Sequence, residues 1–446
     1  MLLRLKTVTR AAGYLVFAIT ALAASEVIAV PSVVQTGVTI NDPAKAYTTD
    51  VLFSAADDTT YLIDMKGRVV KHWNAQGFPA RIIDPGLVEG KKGVLGVQLT
   101  AIQMGDKVAG TGLVPGQPAQ FRNRTVGLVD WDGKTLWQWG TEAPDGAARQ
   151  HHDWARLANG HTLLLANTSH PIPGFGKKMM LDDVIYDIDK EGKIVWTWRA
   201  SDHIDEFGFT EAELGQIKRT AEIDFLHTND MQPLGPNHWA EAGDTRFAPD
   251  NIMISSRDAN FTAIISRETG KIVWRIGPDY PARNEHHPSV IPRPVDQISG
   301  QHDAHMIPEG LPGAGNILMF DNQGEAGYPP VALQVTGGSR ILEINPLSKE
   351  IVWEYTGVSS GGATWSFFSP FISSVQRLPN GNTLIDEGIN GRFFQVTPQG
   401  EIVWEYVSPY RGDAPVAPLP GHPKAQANFV YRIQAVPLDW LPDGGN

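Results

Sequence analysis

The sequence predicts an all-β protein built as a six-bladed β-propeller. A hairpin ending in tryptophan recurs six times along the chain, and a second hairpin precedes most of its copies. The composition agrees: 45 Gly, 32 Pro and 13 Trp in 446 residues suit many short strands joined by turns.

Taken in order, the chain opens with Arg4, Lys6 and Arg10 ahead of the uncharged run AAGYLVFAITALA, which ends in Ala21-Leu22-Ala23. Such a run is too short to span a bilayer, and a small-residue cleavage pattern follows it. Residues 1–23 are therefore expected to be a secretory signal, with a second cut available after Ala29, and the mature protein to be periplasmic or secreted. Residues 30–50 read as a lead-in segment and 51–440 as the propeller.

The repeating unit appears as YLIDMKGRVVKHW (61–73), VGLVDWDGKTLWQW (126–139), VIYDIDKEGKIVWTW (184–198), AIISRETGKIVWRI (263–276), RILEINPLSKEIVWEY (340–355) and FFQVTPQGEIVWEY (393–406). Each copy alternates apolar and polar positions, turns at a pair such as Asp132-Gly133, and returns through a β-branched strand. The aligned tryptophans are Trp73, Trp137, Trp196, Trp274, Trp353 and Trp404. Preceding hairpins lie at 155–166, 231–257, 306–321 and 375–387, giving four strands per unit.

The first unit starts at VLFSA (51–55) and lacks an inner strand, whereas NFVYRIQAVPL (428–438) has strand alternation and no hairpin of its own. The C-terminal strand is therefore expected to complete the first blade and close the ring, which removes open sheet edges. Between blades, EAELGQIKR (211–219) reads as a short helix, and 277–300 and 323–338 as Pro- and Gly-rich loops roofing the propeller mouth.

Composition excludes several functions. With no cysteine there is no disulfide, thiol nucleophile or cysteine metal site. The formal net charge is −12, or about −15 without the signal's three basic residues, which argues against nucleic-acid binding.

Three histidines stand at the heads of inner strands at a common interval of 75 residues: His152, His227 and His302. Leu157, Gln232 and Ile307 each follow by five, so the three are expected to share one column of the channel wall, which falls near Ser373 in the next blade. Any one of them alone reads more simply as a hydrogen-bonded structural residue; three in one column of consecutive blades point to a pocket. Arg257 ends the strand NIMISSR of the blade that supplies His227 and Asn229, where its guanidinium would face an oxyanion, with a blade-to-blade salt bridge as the plainer reading. His151 and His305 flank the column and are further candidates for substrate contact.

The HHD of blade three, LHTN then SSR in blade four, QHDAH then MFDN in blade five, and the repeated GKIVW together resemble the bacterial arylsulfate sulfotransferase family over most of 50–440. The resemblance implies a periplasmic six-bladed propeller. It implies an enzyme that passes a sulfuryl group from a phenolic sulfate ester to a phenol through a transient sulfohistidine, by a ping-pong mechanism without a nucleotide donor. Position by position, His302 matches the nucleophile, His152 and His227 the supporting histidines, Asn229 the asparagine after HT, and Arg257 the arginine of SSR; His151 competes with His152. No metal and no cofactor are implied. Expected partners are a small phenolic sulfate donor and a phenol acceptor, with no nucleic acid and no stable membrane span after signal cleavage. Better-known members carry cysteines and a longer N-terminal strand domain used in pairing; both are missing here, so a homodimer stands as an open expectation.

The chemistry of the residues agrees with that implication. Neutral imidazole is a nucleophile near pH 7 and a good leaving group once sulfated, and a second imidazole can protonate a departing phenolate. Two rivals stand beside it: a metal-dependent hydrolase on a three-histidine site, and a non-enzymatic ligand-binding propeller.

Overall fold

A computed structural model describes residues 35–102, 123–176, 179–219, 224–281, 290–328, 331, 337–414, 421 and 423–442. The expected signal segment and both its cleavage sites lie outside the described residues. Six small antiparallel sheets make a six-bladed propeller.

Blade one runs, from its inner strand outward, Ile433–Val436, Asp50–Ser54, Thr60–Ile63 and Val69–Trp73; Asp50 pairs with Val436 and Phe53 with Ile433. Blade two is Arg81–Ile82, Leu95–Ala101, Asn123–Val129 and Thr135–Trp139, and blade three is Gln150–Arg156, Thr162–Pro171, Met179–Ile188 and Ile194–Arg199. Blade four is Thr228–Pro233, Ile252–Ser256, Phe261–Ile265 and Ile272–Ile276. Blades five (His302–Met306, Ile317–Asp321, Arg340–Asn345, Glu350–Tyr355) and six (Ser374–Arg377, Thr383–Glu387, Arg392–Val396, Ile402–Val407) each gain a fifth, outermost strand. In blade five it is Arg293–Pro294; in blade six it is Gly37–Asn41, so this part of the lead-in is a strand covering an edge that would otherwise stay open.

Central strands are buried on both faces, and the apolar side chains that alternate along them fill six clusters, one at each seam between neighbouring blades. Burying one such Leu or Ile is worth about 1.5–3 kcal/mol, so the seams supply the stability that a chain without disulfides needs. In blades one, two, three and six the outer hairpin turns through five residues, as at Asp189 to Lys193, with only Gly192 left-handed (φ 90°); this is a type I turn with a glycine bulge.

Each blade also latches to the next by one indole N–H. Trp73 donates to Trp131 O, Trp139 to Gly192 O, Trp198 to Gly270 O, Trp274 to Pro346 O, Trp353 to Pro398 O and Trp404 to Met65 O, at 2.8–3.1 Å. In blades two and three the latch is therefore Trp139 and Trp198, not the aligned Trp137 and Trp196. Residues i and i+2 of a strand share a face, so either position can reach the neighbouring turn.

The helix forms over Glu211–Arg219 as the sequence predicts, with Glu211 and Glu213 in its first turn and Lys218 and Arg219 in its last, which suits the helix dipole. No helix among the described residues is long and apolar enough to cross a membrane.

Candidate active site

Strand register corrects the column expected from the spacing. The inner hairpins are closed by the N–H groups of Leu157, Leu234, Ile307 and Leu378, bonded to the carbonyls of His161, Asn251, Asn316 and Asn382. Counting back five residues from each gives His152, Asn229, His302 and Ser373. Asn229, not His227, holds the blade-four place in the column, and His227 stands two residues upstream of it. The equal interval of 75 residues is coincidental: the column positions His152, Asn229 and His302 are themselves 77 and 73 residues apart.

His227 nevertheless reaches the cluster. Its ring centroid lies 4.7 Å from that of His152, edge on, and His152 also packs against Phe78 at 4.9 Å and Tyr431 at 5.5 Å. Bulges interrupt the inner strands beside these residues, and left-handed φ values at His152 (56°), His227 (48°) and Asp303 (53°) turn the chain there. Such φ values are uncommon outside glycine and concentrate at functional sites.

His302 is 1% exposed. Its Nδ1 lies 2.8 Å from Asn322 Oδ1 and 2.9 Å from Gly300 O, while the Ile372 N–H points at Nε2 from 3.3 Å. His227 instead has a carboxylate: Nδ1 is 2.7 Å from Asp224 Oδ2, and its backbone N–H donates to Asp224 Oδ1. Arg257 donates its backbone N–H to His227 O, and its Nη1 bonds Asp258 Oδ1 at 2.5 Å.

Asn229 is fully buried; its Nδ2 donates to Gln301 O at 2.7 Å, and its Oδ1 has no hydrogen-bond partner among the described residues. His151 sits behind the column, with Nδ1 2.9 Å from His152 Nδ1 and Nε2 3.4 Å from Asp183 Oδ1; His152 is the one that faces His227. His305 bonds its own strand through Asp303 O and shares the register position of Gln232 and Gln376, three residues along the strand from His302. Its expected place beside the other histidines is not supported by any described contact. Among the described residues no group of three or more His, Asp or Glu side chains converges as a metal site requires.

A family model described as Arylsulfotransferase (ASST) matches residues 29–409. The chain belongs to the arylsulfotransferase family. Among curated proteins none matches. Solved structures similar to this chain include a Bacteroides caccae protein of unknown function (10% identity, 87% of this chain and 98% of that one, TM-score 0.45). A streptogramin B lyase is also similar (10% identity, 84% and 83%, TM-score 0.39), as is a putative 6-phosphogluconolactonase from Bacteroides fragilis NCTC 9343 (8%, 88% and 99%, TM-score 0.38). Likenesses this distant carry no argument about function.

Electrostatics divide the histidines of this site. Burial pulls the His302 imidazole down to about 3, and the Arg257 charge adds to the effect against the hydrogen bonds to Asn322 and Gly300. His152 is likewise held well below the usual imidazole range by burial and then by the neighbouring His227. Burial acts the same way on His227, but the Asp224 charge and hydrogen bond outweigh it and hold this imidazole up at about 9. One site thus contains a neutral imidazole and an imidazolium at neutral pH.

Below the column lies a hub that sequence reasoning missed. The residues after His152, Asn229 and His302 are Asp153, Asp230 and Asp303, and Arg432 of the C-terminal segment meets all three, at 2.8, 3.1 and 3.5 Å. Burial, then the Asp153 charge, pushes the Asp230 carboxyl well up, whereas the Arg432 and Arg81 charges hold Asp153 down against its own burial. Asp153 and Asp303 also accept the Met231 and Val375 N–H groups of the following blades.

Proposed function

We propose that this arylsulfotransferase moves a sulfuryl group from an aryl sulfate ester to a phenol by a ping-pong route through a sulfohistidine at His302, in the periplasm or outside the cell. Membership of the family supports the substrate classes. The observation that carries the mechanism is the opposite setting of the two imidazoles: His302 neutral beside an amide and a carbonyl, His227 cationic beside Asp224.

In the first half-reaction the His302 Nε2 lone pair attacks sulfur, the sulfur–oxygen bond to the aryl group breaks, and the electron pair leaves on the phenolate. His227 gives that oxygen its proton. In the second half, neutral His227 takes the proton of the acceptor phenol, the phenolate oxygen attacks sulfur, the nitrogen–sulfur bond breaks, and His302 is regenerated. Arg257, whose charge is felt at both His302 and His227, holds the non-bridging oxygens as charge redistributes. His152 and Asn229 shape the wall, and the unpartnered Asn229 Oδ1 offers an acceptor to a hydroxyl. No step calls on a nucleotide.

The test is release of 4-nitrophenol from 4-nitrophenyl sulfate in the presence of phenol, with phenyl sulfate as the paired product. The wild type should turn over and His302→Asn should not; equal release by both sinks the proposal.

A further inference from the structure

We propose that Asn322 is a positioning residue of the sulfuryl transfer, fixing His302 with its hydrogen on Nδ1 and its lone pair on Nε2, and that an amide here against a carboxylate at Asp224 sorts the two imidazoles into nucleophile and acid. This rests on the reading of His302 given above and adds how its tautomer is set.

Three contacts decide the tautomer. Both neighbours of Nδ1, Asn322 Oδ1 at 2.8 Å and Gly300 O at 2.9 Å, are acceptors, so Nδ1 carries the hydrogen. The neighbour of Nε2 is a donor, the Ile372 N–H at 3.3 Å, so Nε2 carries the lone pair. Ile372 itself has a left-handed φ of 50°, costly for a β-branched residue, and this turn is what aims its N–H at the ring.

The orientation of Asn322 is fixed in turn. Its Nδ2 donates at 2.7 Å to Ser369 O, which can only accept, and this turns Oδ1 towards His302; Ser373 Oγ lies beside both amide atoms, 3.1 Å from Nδ2 and 3.4 Å from Oδ1, and the Asn322 backbone carbonyl accepts from Ser339 Oγ at 2.9 Å. Both Asn322 and its ring partner are buried, so solvent offers no alternative. Asn322 follows the strand Ile317–Asp321 as Arg257 follows Ile252–Ser256, and the two therefore occupy one register position in adjacent blades.

An amide accepts the Nδ1 hydrogen without adding charge. A carboxylate there would stabilise the imidazolium and cost the nucleophile its lone pair at neutral pH, which is the setting His227 has. The other charged or titratable groups facing His302 are Arg257 and His227 from blade four, His152 from blade three and Tyr431 from the C-terminal segment; the cationic ones oppose its protonation.

The experiment compares full-length mature wild type, Asn322→Leu and Asn322→Asp in the 4-nitrophenyl sulfate and phenol assay across pH, alongside ¹⁵N-histidine correlation spectra of the wild type. Asn322→Leu should lower kcat at least about tenfold with KM nearly unchanged, and Asn322→Asp should move the acid limb of the rate profile up by about one pH unit or more. The spectra should show His302 as the Nδ1–H tautomer. Equal losses in both variants with an unmoved limb, wild-type kcat in Asn322→Leu, or an Nε2–H tautomer would each overturn the proposal, and the spectra decide it even if neither variant folds. Intact-mass analysis of wild type exposed to donor keeps the two readings apart. Without a sulfuryl group on His302 the mechanism itself fails; with one, adverse variant data overturn only the role of Asn322.

Discussion

Arg432 Nη1 lies 2.8 Å from Asp153 Oδ2 although 279 positions separate them in the chain. The same guanidinium meets Asp230 and Asp303, so a residue of the C-terminal segment holds the aspartates that follow His152, Asn229 and His302. All of these groups are buried. Removing the cation from a buried network leaves charge uncompensated, at a cost of about 3–5 kcal/mol. Arg432→Met should lower stability to urea by that order and weaken activity with it; a change below about 1 kcal/mol would contradict the hub.

The indole latches make a contrast that can be measured. Trp404 is fully buried and donates to Met65 O, linking blade six to blade one, whereas Trp137 does not carry the latch of its blade. Trp404→Phe should cost about 1–3 kcal/mol, from the lost hydrogen bond and imperfect repacking. Trp137→Phe should cost less. The order of their melting temperatures checks this.

Much of this was legible in the sequence because it is local. Six tryptophan hairpins, the helix at 211–219 and the partnership of His152 with His302 follow from alternation, turn residues and repeat alignment. The placement of His227 in the column failed because the alignment followed histidine identity. The pairs His152-Asp153, Asn229-Asp230 and His302-Asp303 would have given the right column, since each aspartate turns into the hub. Asn322 lies in the MFDN stretch and Asp224 three residues before His227, but nothing in alternation or repeat spacing marks either as a partner of an imidazole. Arg432 could not be read at all, because its partners lie across the channel.

The two imidazole settings predict the rate profile. His302 stays neutral down to about pH 3, and His227 stays protonated up to about pH 9, so transfer should persist below the ordinary imidazole range, with an acid limb where His302 protonates and an alkaline limb where His227 deprotonates. The stability link has matching signs. A raised His227 contributes stability present below about pH 6.5 and lost as pH rises through about 9, whereas a depressed His302 costs stability as pH falls from about 6.5 towards 3. Asp224→Asn should bring the alkaline limb of kcat down towards the usual imidazole range; an unmoved limb would remove His227 as the acid.

Arg257 acts on charge in the transition state more than on binding if it holds the sulfuryl oxygens. Arg257→Gln should then lower kcat about a hundred- to a thousandfold while the KM for 4-nitrophenyl sulfate changes far less. A rise in KM alone would assign Arg257 to ground-state binding.

The most direct test of the central claim is intact-mass analysis of the protein after brief exposure to 4-nitrophenyl sulfate without acceptor, followed by peptide mapping. One added sulfuryl group on His302, discharged when phenol is supplied, is the predicted result. Continued turnover with no labelled histidine, or a label on another residue, would contradict the account.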